Sequence, residues 1–297
     1  FKNDDAKIIG LNVQPFDAAK HNALPMVGDA RVGLEALDAA LTGWQVDSDW
    51  TRKALQAKED WLRVAYAALA ASNAELPSDA QVIGAVQRSR PKATVVCAAG
   101  GLPGELHKLW RADAPGSYHL EYGFSTMGYE IAAGLGVALA RPQDDVVVMV
   151  GDGSYLMMNS EIVSAAMLGV RLTVVLLDNS GYGCINRLQM ATGGANFNNL
   201  LRDTHHQTLP QIDFAAHAAS MGAESRKVSS LAELEAELTA SRDKSGVQVF
   251  VIDTDPLVTT EAGGHWWDVA VPAVSDRPEV NAARAAYEAA LKAQRAG

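Results

Sequence analysis

Two oxygen-bearing side chains, Asp152 and Asn179, lie 27 positions apart in matching surroundings. Asp152 sits in Gly151-Asp152-Gly153-Ser154, directly after the apolar run 145–150. Asn179 sits in Asp178-Asn179-Ser180-Gly181-Tyr182-Gly183, directly after the apolar run 170–177. A carboxylate oxygen, an amide oxygen and a nearby loop carbonyl are hard ligands. They suit Mg²⁺, which shares its oxygen shell with phosphates and water. The glycines let backbone come close to a ligand, and a helix starting after them offers free N–H groups and a positive dipole end to a diphosphate. Gly-Asp-Gly alone is a common turn; the matched spacing after two buried strands makes it a candidate Mg²⁺–diphosphate site. Other phosphate motifs fail. There is no G-x-x-x-x-G-K-[ST], and Gly134-Leu135-Gly136 falls inside a helical stretch without a third glycine.

A right-handed strand–helix–strand unit must position the pair. A helix of about 13 residues, expected over 156–168, spans roughly 20 Å, and a strand of about six residues spans a similar length. Both motifs then end on one sheet edge, where open α/β sheets bind ligands. The runs 94–98, 145–150, 170–177 and 247–252 are apolar without alternation, as in strands buried on both faces. Helical stretches at 129–140, 213–221 and 231–241 separate them, and a last helix is expected over 281–296. The fold class predicted is α/β, a mainly parallel sheet flanked by helices. Ahead of it, 7–13 reads as a strand and Asp29 as the N-cap of a helix ending at Thr42-Gly43. That piece is too small to bury its own core and reads as the tail of a larger domain. Residues 49–71 read as an amphipathic linker helix, and Ser78-Asp79 cap the next one. The expected organisation is 1–45 as the remnant of a larger domain, 46–76 as a linker helix, and 77–297 as the domain that carries the candidate diphosphate site.

Composition narrows the partners. Lys and Arg number 25 against 35 Asp and Glu, a net charge of −10, and an acidic surface repels nucleic acid. No uncharged apolar run reaches the roughly 18 residues of a membrane span. Two cysteines, Cys97 and Cys184, cannot build a disulfide framework and read as free thiols of a reducing, cytoplasmic compartment. The chain starts at Phe1 without a signal-peptide pattern and enters a strand almost at once, which leads us to expect further chain upstream.

The Gly-Asp-Gly and Asn pattern resembles the signature of thiamine diphosphate enzymes of the acetolactate-synthase-like group. Residues 8–37 resemble the end of the central domain in that group. Ser125-Thr126-Met127-Gly128, before a small-residue helix, resembles the segment that holds the two cofactor rings. Residues 99–110, 118–125 and 263–268 look most like the trihydroxycyclohexane-1,2-dione hydrolases of inositol catabolism. By resemblance, Asp152 and Asn179 are side-chain Mg²⁺ ligands and Gly181 the carbonyl ligand. Gly151, Gly153, Ser154, Asn179, Gly181 and Tyr182 belong to the cofactor site. Gly101 and Leu102 fall in a loop approaching the diphosphate, Met127 lies beneath the V-shaped cofactor, and the Ser125 carbonyl accepts from the pyrimidine amino group. Asp178, where the family often has Asn, is a departure. The implied cofactors are thiamine diphosphate and Mg²⁺, and the implied substrate is a small cyclic diketone. Acetolactate synthase or a related decarboxylase or ligase is the alternative, and a non-catalytic cofactor-binding subunit a second. The family's activating glutamate sits on a separate pyrimidine-binding half that precedes the central domain, so no Glu here takes that role. The site would form between subunits of a homodimer or homotetramer.

The remaining candidates are weighed residue by residue. His119 is the candidate substrate-facing group, with a structural histidine as the plainer reading. His107 reads as packing, and the adjacent His205-His206 as a mobile polar loop rather than a zinc pair. Tyr155 and Tyr182 could line the cofactor or pack in the core. Met157-Met158 read as core filler. Trp266-Trp267 read as a packed C-terminal segment or as a substrate or subunit contact.

Overall fold

A computed structural model describes residues 5–70, 75–262 and 268–294. Its elements fall into two units, Phe1–Glu59 with Arg284–Gly297, and Asp60–Ala283. In the first, β1 (Ile9–Asn12) leads through α1 (Pro15–Ala18) to β2 (Leu24–Val27), and the two strands pair in parallel. Pro25 argues against a strand from sequence; it is tolerated because β2 is an edge. Asp29 caps α2 (Ala30–Ala40) as predicted, accepting from the N–H groups of Arg31 and Val32 at 2.9 and 3.1 Å. Ala18 is the only buried apolar residue of this unit among the described residues, in keeping with a piece too small for a core. The amphipathic helix expected over 49–71 is α3 (Ser48–Leu69).

The second unit continues through α4 (Asp79–Ser89), β3 (Thr94–Cys97), α5 (Gly101–Leu109), β4 (Tyr118–Leu120), α6 (Tyr129–Ala140), β5 (Val146–Gly151), α7 (Asp152–Met157), α8 (Glu161–Met167) and β6 (Leu172–Asp178). It then runs through α9 (Gly183–Ala191), α10 (Phe214–Ser220), β7 (Glu224–Val228), α11 (Leu231–Ala240) and β8 (Val247–Asp253), and α12 (Pro278–Ala293) follows. Six strands form one parallel sheet in the order β4-β3-β5-β6-β8-β7. The chain leaves β3 to one side for β4 and returns to the other side for β5. The loops after β3 and β5 therefore part at a switch point, where such sheets hold ligands.

Valine-rich strands become the centre of this sheet because each face has helices to cover it. Val147 and Met149 pack with Val82, Val86 and Leu234 from α4 and α11. The alternate residues Val146, Val148 and Val150 pack on the other face with Ile131, Ile162 and Phe214. This is the period-2 alternation of a strand with both sides apolar. Gly134 in α6 lets that helix approach the sheet, since a Cβ there would lie 2.2 Å from Val148 Cγ2. The short strand β4 and the charged strand β7, carrying Glu224, Arg226 and Lys227, form the edges.

One expectation needs correction. The single helix expected over 156–168 is two helices, and the first already begins at Asp152. Met158 is extended, at φ −155° and ψ 96°, and breaks the run. The apolar periodicity of 156–168 therefore hid a change of direction. Leu156, Met157 and Met158 are about half exposed rather than core filler.

Arg90 is among the largest fully buried side chains of the described residues. Its Nε donates to Leu238 O at 2.7 Å, Nη1 to Asp145 Oδ1 at 2.5 Å and Nη2 to Ser241 Oγ at 3.0 Å. One guanidinium thus joins the ends of α4 and α11 to the start of β5.

Cys97 is fully buried, its Sγ 3.6 Å from Tyr118 Oη, and burial pushes its thiol up to about 11. Alkylation of the native protein at pH 8 should therefore spare Cys97, because the thiolate is the nucleophile. Mass mapping should find it modified only after denaturation; labelling in the native state would contradict the packing.

Candidate metal centre

Register brings the two motifs together. Gly151 pairs with Leu177 across β5 and β6, so Asp152 and Asp178 follow side by side at the same sheet edge. The Asp152 carboxylate is 4 % exposed, and its Oδ2 accepts from Gly181 N at 2.7 Å. Its other oxygen, Oδ1, and the Asn179 Oδ1 are both buried and without a hydrogen-bond partner. Buried polar atoms are nearly always paired, so two orphaned oxygens at one sheet edge call for a missing partner. Burial pushes the Asp152 carboxyl up to about 7, and the charge of Asp178 adds to the shift. Burial also raises Asp178. An oxygen-only, acidic, desolvated site is one that a hard divalent cation fits.

The loop carrying Asn179 is held on both sides. Tyr182 N donates to Asn199 O at 2.7 Å and Leu201 N to Ser180 O at 2.9 Å, flanking a bridge between Gly181 and Leu200. Gly181 has φ 148°, and a Cβ there would lie 2.4 Å from Asn199 O. Only glycine fits that crossing. Gly153, in the first turn of α7, meets the Tyr182 ring, which a Cβ would approach to 2.7 Å. Tyr182 therefore covers the start of α7 while remaining 40 % exposed.

The other sequence candidates divide. Gly101 and Leu102 open α5 at the switch point, with Gly100 at φ 121° before them. The Leu102 side chain is buried in the core, leaving backbone as what it can offer a ligand. Ser125, at φ 56°, lies in an exposed turn, and Met127 is half-buried at its end. Ser154 Oγ is turned inward and donates to Glu130 Oε1 at 2.7 Å. His119 lies in the short edge strand β4. Its Nε2 lies 3.0 Å from Gly116 O, three residues earlier, which ties the ring back toward the N-terminal end of β4. His107 packs against Tyr118 and Tyr122. Tyr155 is core, fully buried beneath Phe214, with its hydroxyl 2.9 Å from His217 Nδ1. His206 Nδ1 lies 3.1 Å from Thr204 Oγ1 in an exposed stretch. Among the described residues no group of three or more His, Cys, Asp or Glu is placed to hold a metal. Trp266 and Trp267 lie outside the described residues.

Two residues near the site are absent from the sequence reading. Glu130 is buried in the first turn of α6. The signal was present, as the one charged residue in a small and apolar helix. Arg187 on α9 places Nη2 where a Gly101 side chain would begin, 2.2 Å from that Cβ position, and Nη1 donates to Pro256 O at 2.5 Å. Nothing local in Asn186-Arg187-Leu188 announces this.

Residues 98–253 match the family described as thiamine pyrophosphate enzyme, C-terminal TPP binding domain. The chain is 34% identical, over 318 aligned positions, to a 3D-(3,5/4)-trihydroxycyclohexane-1,2-dione hydrolase of Bacillus licheniformis, covering 98% of this chain and 50% of that protein. It is 35% identical to the protein of that name from Halalkalibacterium halodurans, covering 95% and 48%. The Bacillus subtilis protein of that name is 33% identical, with 98% and 50% covered. The chain thus spans about half the length of these curated relatives. Among solved structures, a thiamine diphosphate-dependent 4-hydroxybenzoylformate decarboxylase of Rhodococcus jostii RHA1 superposes with a TM-score of 0.56 at 19% identity, covering 63% of this chain and 34% of that one. Benzoylformate decarboxylase from Polynucleobacter necessarius gives 0.51 at 22%, covering 60% and 33%. At these identities the likeness is one of fold. No helix among the described residues is long and apolar enough to cross a membrane.

Proposed function

The chain belongs to the thiamine pyrophosphate enzymes through their C-terminal TPP-binding domain, and from that premise we propose that it holds the Mg²⁺–diphosphate end of the cofactor in an enzyme that opens a cyclic 1,2-dione. The observation that carries the cofactor assignment is the pair of buried, unpartnered oxygens on Asp152 and Asn179. With the Gly181 carbonyl they would hold Mg²⁺. Backbone N–H groups at Gly153 and Ser154, and at Gly101 and Leu102, would face the diphosphate from the starts of α7 and α5. Ser125 and Met127 would hold the cofactor rings. The names of the relatives support the substrate, a trihydroxycyclohexane-1,2-dione, and its hydrolysis; the bond we propose to open is the C–C bond between its two carbonyls, giving an open-chain deoxy-uronic acid.

When bound, the cofactor supplies the carbanion chemistry and the protein supplies orientation and electrostatics. The role of Asp152 is to balance cation charge in a desolvated site, and the clamped Gly181 loop fixes where that charge sits. A pyrimidine-binding half carrying the activating glutamate, and a second subunit, would complete the site. The test is calorimetry of the complete protein with thiamine diphosphate and Mg²⁺, followed by NMR of the dione. Absence of cofactor binding would remove the whole reading. Binding without ring opening would remove the substrate and leave the cofactor.

A further inference from the structure

Glu130 joins two segments that the proposed function assigns to opposite ends of one cofactor. Its Oε2 accepts from Gly128 N at 3.0 Å, and its Oε1 accepts from Ser154 Oγ at 2.7 Å. Ser154 Oγ in turn accepts from Gly128 N at 2.8 Å, which closes a three-membered network. Glu130 is 2 % exposed and Ser154 3 %. Gly128 is left-handed at φ 89° and ends the turn that carries Ser125 and Met127. Ser154 lies in the first turn of α7, two residues after Asp152. The outer side of that turn is set by a second carboxylate. Glu121 accepts from Phe124 N at 2.9 Å and from Thr126 N at 2.6 Å. Ser125 adopts φ 56° between these two straps. A carboxylate is costly to bury for packing alone, and an apolar side chain would fill the same space at less cost. Burial also raises the Glu130 carboxyl, against the hydrogen bonds that favour its charge.

We propose that Glu130 is a positioning residue, which locks the 125–128 turn to the start of α7 so that the two cofactor-holding segments keep one spacing. The proposal rests on the cofactor reading above. It makes Glu130 a link between binding segments, with no contact to the cofactor required.

The test uses the complete protein and five variants, E130A, E130L, E130Q, S154A and the E130A/S154A double. Calorimetry measures thiamine diphosphate affinity in excess Mg²⁺, and hydrogen exchange is followed without cofactor. E130A and E130L should weaken cofactor binding by about tenfold or more, while E130Q, which keeps the shape and one acceptor, should stay within about threefold. Adding S154A to E130A should cost little more than E130A alone, because both break one network. Amide exchange should rise together over 125–128 and 152–157 in E130A. Full affinity in E130L would reduce Glu130 to packing and overturn the proposal. So would additive E130A and S154A effects, or faster exchange in only one of the two segments. If the unmodified protein binds no thiamine diphosphate, the cofactor reading fails first and the positioning role with it. Wild-type binding matched by E130A removes the positioning role alone.

Discussion

Replacing Asp152 with alanine should lower Mg²⁺-dependent thiamine diphosphate affinity of the complete protein by about 100-fold or more. The change removes an anionic oxygen from the cation and also the acceptor that holds Gly181 N at 2.7 Å. Both the cation and the loop offering the Gly181 carbonyl lose their fix. Asn179→Ala removes the second orphaned oxygen and should cost less, about tenfold, since it takes away no charge and leaves the loop clamp at Asn199 and Leu201 intact. Asp152→Asn separates site from scaffold. An amide can still accept from Gly181 N, yet it no longer buries a carboxylate beside Asp178. Its thermal midpoint without metal should equal or exceed that of the wild type while cofactor binding is lost. Unchanged affinity in Asp152→Ala, measured by calorimetry, would remove the metal assignment.

The largest effect on stability is expected at Arg90. Arg90→Met should destabilise the protein by about 3 kcal/mol, because it leaves Asp145, Ser241 Oγ and Leu238 O without their buried donor. Asp145→Asn should cost nearer 1 kcal/mol. Its side chain is 24 % exposed, so water can reach it, and the guanidinium keeps its other two acceptors. Urea titrations of the two variants provide the comparison. Equal losses would mean that the ion pair, rather than the three-way junction, carries the stability.

The two loops of the candidate site were legible because they combine two strong signals. Strands 146–151 and 172–178 carry mostly apolar runs, and each leads into glycines beside an oxygen-bearing side chain. Sequence spacing then fixed their adjacency, and the register of Gly151 with Leu177 realises it. The helix between them was misjudged because apolar spacing reports burial, whereas the break at Met158 is a backbone event without a proline or glycine at that residue to announce it. Strands β4 and β7 escaped notice for a different reason. The Tyr118-His119-Leu120 stretch is very short, and Glu224-Ser225-Arg226-Lys227-Val228 is mostly polar, since an edge strand need not bury both faces. Tyr155 could be assigned to site or core only by geometry, because a tyrosine next to a Gly-Asp-Gly loop suits either until its neighbours are known. Glu130 was visible as an anomaly, but its partners lie in two separate segments, which no local pattern reports.

The sheet edges bear on how the protein behaves at high concentration. An open parallel sheet presents unpaired backbone groups at each outer strand, and these can recruit further strands into aggregates. On one side the exposed strand is three residues long, too short to template much. On the other, Glu224 pairs with Lys244 at 2.5 Å, Arg226 with Glu237, and Lys227 with Asp253 at 2.8 Å. An incoming strand would have to sit beside this row of fixed charges. Substituting Arg226 and Lys227 with valine would remove that guard while raising the strand propensity of the segment. Such a variant should keep its fold and precipitate on heating at concentrations where the parent stays dissolved.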